Sequence, residues 1–217
     1  MEIGSQDTAL VITDPQNDFL SEKGATWQLV GESVKENGTI EHLEQLLETA
    51  KGNDYDVFIS PHYYFPTDRG WKFGGTVEKM MHEFHMFDRS GPLTIDGFEG
   101  SGADWLPVLA PHINDGKTVI TSPHKVYGPE SNDLALQLRK RGKSKVLLGG
   151  MSANLCVEAH LRELLEQGFE VTVVKDATAG ARHPELGDGY QSALLNFGYL
   201  ANGVITTDEA VAKFSGK

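Results

Sequence analysis

Three ionisable residues of this 217-residue chain each follow a short apolar run: Asp14 in VITDPQNDFL, Lys125 in VITSPHKVYG and Cys156 in GGMSANLCVEAH. Cys156 is the only cysteine. Taken singly, each has an ordinary reading. An aspartate before a proline opens a turn, a lysine is a solvated surface charge, and a lone cysteine is commonly a small buried hydrophobe. Taken together they are the set that acyl transfer needs. The thiolate is the attacking form of cysteine, and its pKa falls beside a cation or at a helix N-terminus. The segment SANLCVEAH opens a helical pattern with the thiol in its first turn, where unpaired amides and the positive dipole end favour an anion. In this reading Lys125 supplies a second positive charge, while Asp14 holds the lysine and accepts the thiol proton as general base. The same backbone amides are natural donors to the oxyanion of a tetrahedral intermediate. Lys117 competes for the role of Lys125, but it precedes its apolar run and so falls at the opposite end of a strand.

Convergence of residues so far apart requires a sheet. Six short apolar runs, at 8 to 13, 56 to 60, 117 to 121, 145 to 150, 170 to 177 and 203 to 207, are nearly continuous rather than alternating, as parallel strands covered on both faces are. Between them Ile40, Leu43, Leu47 and Ala50 share one helical face, as do Val157, Leu161, Leu164 and Leu165. Residues 131 to 141 and 188 to 201 also read as helices, with Gly142 and Gly168 as stops. Repetition of strand, helix, strand predicts an α/β fold: a doubly wound, mainly parallel six-stranded sheet with helices on both faces and its site at the carboxyl ends of the strands. The whole of 1 to 217 reads as one domain. Residues 61 to 116, rich in glycine, proline and aromatics, read as a cap beside the site.

Composition narrows the partners. With 39% hydrophobic and 23% charged residues the chain is that of a soluble globular protein. Its formal net charge of −12 disfavours nucleic acid and anionic membrane surfaces, and no apolar run is long enough to span a bilayer. One cysteine and an acidic N-terminus without a basic-then-apolar pattern lead to a cytoplasmic expectation. Neither G-x-G-x-x-G nor a Walker-type phosphate loop occurs, which argues against a nucleotide-dependent enzyme.

The stretches ALVITDPQNDFL, KVYGPESNDLALQLRKRG, LLGGMSANLCVEAHLRELLEQGFEVTVVKDATAG and GVITTDEAVAKF resemble, in content and order, the isochorismatase-like cysteine hydrolases, the family of nicotinamidases and N-carbamoylsarcosine amidase. That resemblance covers nearly the whole chain. It implies a Rossmann-like three-layer sandwich, an Asp, Lys and Cys triad matched by Asp14, Lys125 and Cys156, and a dimer or tetramer. It also implies a non-proline cis peptide between Met151 and Ser152, with the amides of Ser152 and Cys156 as the oxyanion hole. The reaction it implies is hydrolysis of a C–N bond in a small carboxamide or carbamoyl compound through a thioester. Isochorismatase itself cleaves a vinyl ether without a thiol nucleophile, so that chemistry is one alternative; a non-catalytic binding protein retaining the fold is another, and an acyl acceptor other than water a third.

The chain departs from the family at the metal site. Nicotinamidases bind a metal through an Asp-x-His stretch after the second strand and a further histidine in the following loop, whereas Ser60 stands here in place of the aspartate. His62 remains, and MMHEFHMFD adds His82, His85 and Asp88. Neither a metal nor another cofactor is expected. Substrate selection falls to aromatics near the strand ends, above all Phe19, Trp27, Tyr63 and Tyr127, with Tyr64, Phe65 and Trp71 nearby and Asn17 and Asn154 as candidate polar contacts.

Overall fold

A computed structural model describes residues 1–216 of the chain. Its strands are β1 (Thr8–Thr13), β2 (Asp56–Ser60), β3 (Val119–Ile120), β4 (Lys145–Gly150), β5 (Glu170–Thr178), a short antiparallel pair β6 (Arg182–His183) and β7 (Gly187–Asp188), and β8 (Gly203–Ile205). Six of them form one sheet in the order β3-β2-β1-β4-β5-β8, and every pairing in it is parallel. The helices are α1 (Asn17–Leu20), α2 (Trp27–Asn37), α3 (Thr39–Gly52), α4 (Thr76–Glu83), α5 (Ala110–Ile113), α6 (Leu134–Lys140), α7 (Glu158–Glu166), α8 (Gly189–Leu200) and α9 (Thr207–Phe214).

Side chains on β1 alternate between two cores, as the period of a strand demands. Leu10 and Ile12 pack with Leu43, Leu47 and Phe214 from α3 and α9 on one face. Ala9 and Val11 pack with Leu138, Leu161 and Phe197 from α6, α7 and α8 on the other. Both faces are therefore covered, which explains why the strands read as unbroken apolar runs. Each leucine or isoleucine so buried contributes about 1.5–3 kcal/mol relative to its exposed state. Gly142 and Gly168 follow the ends of α6 and α7 with φ of 70° and 79°, the left-handed stop expected of them.

Chain order runs outward from β1 through β2 to β3, then returns to β4 on the other side of β1 and proceeds to β5 and β8. The connections part between β1 and β4, leaving a crevice at their carboxyl ends. Residues 61 to 116 carry the short 3-10 turn Pro66–Gly70, α4 and α5, and extended segments between them. They are tied down beside that crevice by two buried side chains that follow β1. Gln16 donates to the carbonyls of His62 and Ala103, 2.8 Å each, and accepts from the His62 amide at 2.9 Å. Asp18 accepts from the Phe87 amide at 2.6 Å. Among the described residues no helix is long and apolar enough to cross a membrane.

Candidate active site

Strand β1 delivers Asp14 at its carboxyl end in the left-handed region, with φ of 47°. Its amide donates to Ser60 O at 3.1 Å and its carbonyl accepts from Gln16 N at 2.8 Å. Beside it β4 ends at Gly150, whose φ is 108°. A side chain there would collide with the backbone of Thr13, so only glycine lets the two strand ends close together. The Thr13 hydroxyl donates to Met151 O at 2.9 Å. The Met151–Ser152 peptide is cis, in the position the family resemblance implied. Ala153–Val157 then form a π-helical turn leading into α7, with the Val157 amide donating to Ser152 O at 3.2 Å. Cys156 lies within that turn.

Asp14 and Cys156 are both fully buried and within 4.8 Å of one another through a carboxylate oxygen and Sγ. Histidines surround them. His124 Nε2–H donates to Asp14 Oδ1 at 2.8 Å. His62 Nε2–H donates to Lys125 O at 2.7 Å, and its ring lies 4.7 Å from that of His124. His160, one helical turn after the cysteine, donates from Nδ1 to Cys156 O at 2.7 Å. Its Nε2 then accepts from the Ser60 hydroxyl at 2.8 Å, and Ser60 Oγ accepts in turn from Asn132 Nδ2.

Lys125, expected as the cation beside the thiol, is placed elsewhere. Its ammonium donates to Asp68 at 2.6 Å and to Tyr63 O at 3.2 Å, over the Phe65 ring. The reason is the pleat. Beyond β3 the chain keeps parallel pairing with the segment after β2, as the His62–His124 bridge records, and consecutive residues of extended chain point to opposite sides. His124 therefore takes the inward place beside Asp14 and Lys125 the outward one. Sequence reasoning passed over His124 and His160, although one is next to the chosen lysine and the other four residues after Cys156, on the same helical face.

Electrostatics follow from burial. It pushes Asp14 up to about 6, against the opposing pull of His62, Cys156 and His160. Burial, and then the charge of Asp14, raise the Cys156 thiol well above its ordinary value, while the amides of Ser152 and Cys156 act on the sulfur in the other direction. Burial likewise depresses His62, His124 and His160 to about 3, so all three rings are neutral near pH 7. Asp14 and Cys156 thus share one negative charge between them, held on the carboxylate at rest.

A mainly apolar cavity of about 300 Å³ is lined by Phe19, Val30, Met81 and Met86 and reaches Ser152, Asn154 and Leu155 of the turn that carries Cys156. Of the aromatics expected at the substrate, Phe19 lines it. Tyr63 is buried against Phe98 and Trp105 with Arg89 over its ring, and Trp27 packs on Gly31 beneath Lys35. Tyr127 is half-buried, its hydroxyl pKa raised first by burial and then by the charges of Cys156 and Glu78. Asn17 donates to Ser101 O at 2.9 Å. Of the histidines considered for a metal in the sequence, His82 packs against Tyr64 and Trp71, and the exposed His85 pairs with Asp88, while His62 reaches the cluster.

A buried thiol and carboxylate thus meet at the switch point of a doubly wound parallel sheet. The model of the isochorismatase domain matches residues 8–209, and the chain belongs to the isochorismatase family. Its sequence is 27% identical to the ureidoacrylate amidohydrolase RutB of Stutzerimonas stutzeri over 213 residues, covering 91% of this chain and 80% of that protein. An uncharacterized isochorismatase family protein of Escherichia coli O157:H7, YecD, is 43% identical over 49 residues, which span 23% of this chain and 26% of YecD. The crystal structure of a cysteine hydrolase from Pseudomonas syringae pv. phaseolicola superposes with a TM-score of 0.81 at 21% identity, covering 100% of this chain and 96% of that one.

Proposed function

We propose that the protein hydrolyses a C–N bond in a small carboxamide or carbamoyl compound through a thioester on Cys156. The observation that carries this reading is the buried pairing of Asp14 and Cys156, within 4.8 Å of one another. Sγ attacks the carbonyl carbon as the thiol proton passes to Asp14, and the two amides receive the charge that develops on the carbonyl oxygen. A carboxylate raised to about 6 is suited to both halves of the reaction. It takes the thiol proton at neutral pH and then returns it to the departing amine or ammonia. Water, deprotonated by the same carboxylate, cleaves the thioester. His124 acts as a positioning residue, fixing Asp14 through its N–H. Residues 61 to 116 serve as the cap, since Met81 and Met86 line the cavity. Resemblance to an amidohydrolase that acts on ureidoacrylate favours an amide or carbamoyl group over a vinyl ether. The apolar cavity wall favours an apolar substituent on it.

The test is ammonia release from a panel of small primary amides and N-carbamoyl compounds, with mass spectrometry of the intact protein during turnover. An acyl adduct on the Cys156 peptide, and activity in Cys156→Ala reduced to background, are expected. Undiminished turnover in Cys156→Ala would refute the covalent route.

A further inference from the structure

We propose that Asp14, His62, His124 and Cys156 form a four-ligand site for a borderline divalent cation of the zinc class, which binds the thiol as thiolate and withdraws it from reaction. The inference goes beyond hydrolysis, because it needs only the ligand set.

Each of the four residues offers one ligand atom, all within 4.8 Å of one another, and all four side chains are fully buried. Three of their polar atoms lack any hydrogen-bond partner: Asp14 Oδ2, His62 Nδ1 and His124 Nδ1. Buried polar atoms are rarely left so, and three around one thiol call for an occupant. The partnered atoms of the same residues are arranged as a metal's outer shell is. His62 gives its other N–H to Lys125 O and His124 gives its own to Asp14 Oδ1, which leaves both Nδ1 lone pairs free to coordinate.

The donor set is two imidazole nitrogens, one thiolate and one carboxylate oxygen, which suits four-coordinate zinc or cobalt(II) and not calcium or magnesium. Metal–ligand bonds of about 2.0–2.3 Å set tetrahedral ligand atoms roughly 3.5 Å apart, a contraction that side-chain rotation supplies. Charges also balance. A divalent cation against one thiolate and one carboxylate leaves a neutral cluster, so burial carries no unpaired charge. On binding, Cys156 releases its proton to solvent, one bond to the metal replaces the S–H bond, and the two histidines bind as the neutral rings they already are. Substrate and metal are then mutually exclusive at Sγ. The ligand set differs from an Asp-x-His site, because Ser60 occupies the aspartate's position and instead serves His160.

Cobalt(II) titrated into chelator-treated full-length protein tests this without any substrate. One equivalent is expected to bind, with intense visible bands of four-coordinate cobalt and a near-ultraviolet thiolate charge-transfer band. Because Cys156 is the only cysteine, that band has one source. It is expected to vanish in Cys156→Ser, and affinity in His62→Gln or His124→Gln to fall by more than the roughly 10–100-fold that losing an outer-shell partner costs. Should a histidine variant lose its far-ultraviolet dichroism, the charge-transfer band of the parent decides alone. A weak six-coordinate spectrum in the parent would overturn the proposal. So would a signal abolished by His112→Ala, since Glu44, Glu48 and His112 form the other group of metal-capable side chains among the described residues.

Discussion

His124 and Lys125 are neighbours in sequence, yet one is fully buried against Asp14 and the other pairs with Asp68. Two substitutions separate their contributions. Lys125→Ala removes a partly exposed ion pair, so a loss of about 1 kcal/mol or less in stability is expected, with kcat changed little. His124→Ala removes the donor that orients the base, and a 10²–10⁴-fold fall in kcat is expected on the scale of general-base catalysis. His124→Asn, which keeps an N–H donor, should recover part of it and so distinguish positioning from bulk packing. The reverse pattern, with Lys125 essential and His124 dispensable, would restore the lysine to the site. At this scale the sequence was partly legible: residue types and strand ends singled out Asp14 and Cys156, which the fold brings together. A choice between adjacent residues depends on pleat, and pleat depends on pairing with β2, which no local pattern encodes.

At the scale of elements, the site depends on how β4 ends. Gly150 at φ of 108° lies against Thr13, and the π-helical turn that follows carries Cys156. Gly150→Ala is expected to cost more than about 1 kcal/mol, because alanine resists a positive φ and its methyl group meets backbone. Urea unfolding measures it, and an unchanged midpoint would mean the strand ends part freely. The strands themselves were plain in the sequence: β1, β2 and β4 match the apolar runs residue for residue. β3 is shorter than its run, Val119–Ile120, because it is an edge strand paired only to β2. The β6–β7 pair has two residues a side, too few for periodicity to register. The π turn escaped for a different reason. It differs from an α-helical turn by hydrogen-bond register, which residue types do not reveal.

For the whole molecule, a neutral interior of histidines ties folding to pH. His62, His124 and His160 have folded values of about 3 against an ordinary 6.5. Between those values the unfolded chain binds a proton at each that the native state refuses, so each contributes stability that is complete above 6.5 and is lost as pH falls. Asp14, raised from 3.8 to about 6, acts oppositely between those two values, since there the native state holds the extra proton. Three histidines outweigh one carboxylate, so the native state loses stability as pH falls through this window. Urea midpoints should therefore fall steeply from pH 6.5 to 5, and less steeply in His160→Gln. A flat profile would contradict neutral burial.

The place of β1 at the centre of the sheet also has a consequence for biosynthesis. Its neighbour β2 leaves the ribosome early, but β4 follows β1 by about 130 residues, roughly 7 to 26 s at ordinary elongation rates. During that interval one flank of β1 is an open edge of the kind that invites mispairing, and Asp14 sits on a nascent chain that has no thiol at all. The N-terminal half of the chain thus emerges before Cys156 has been made, and Asp14 and Cys156 meet only when β4 is threaded into place beside β1.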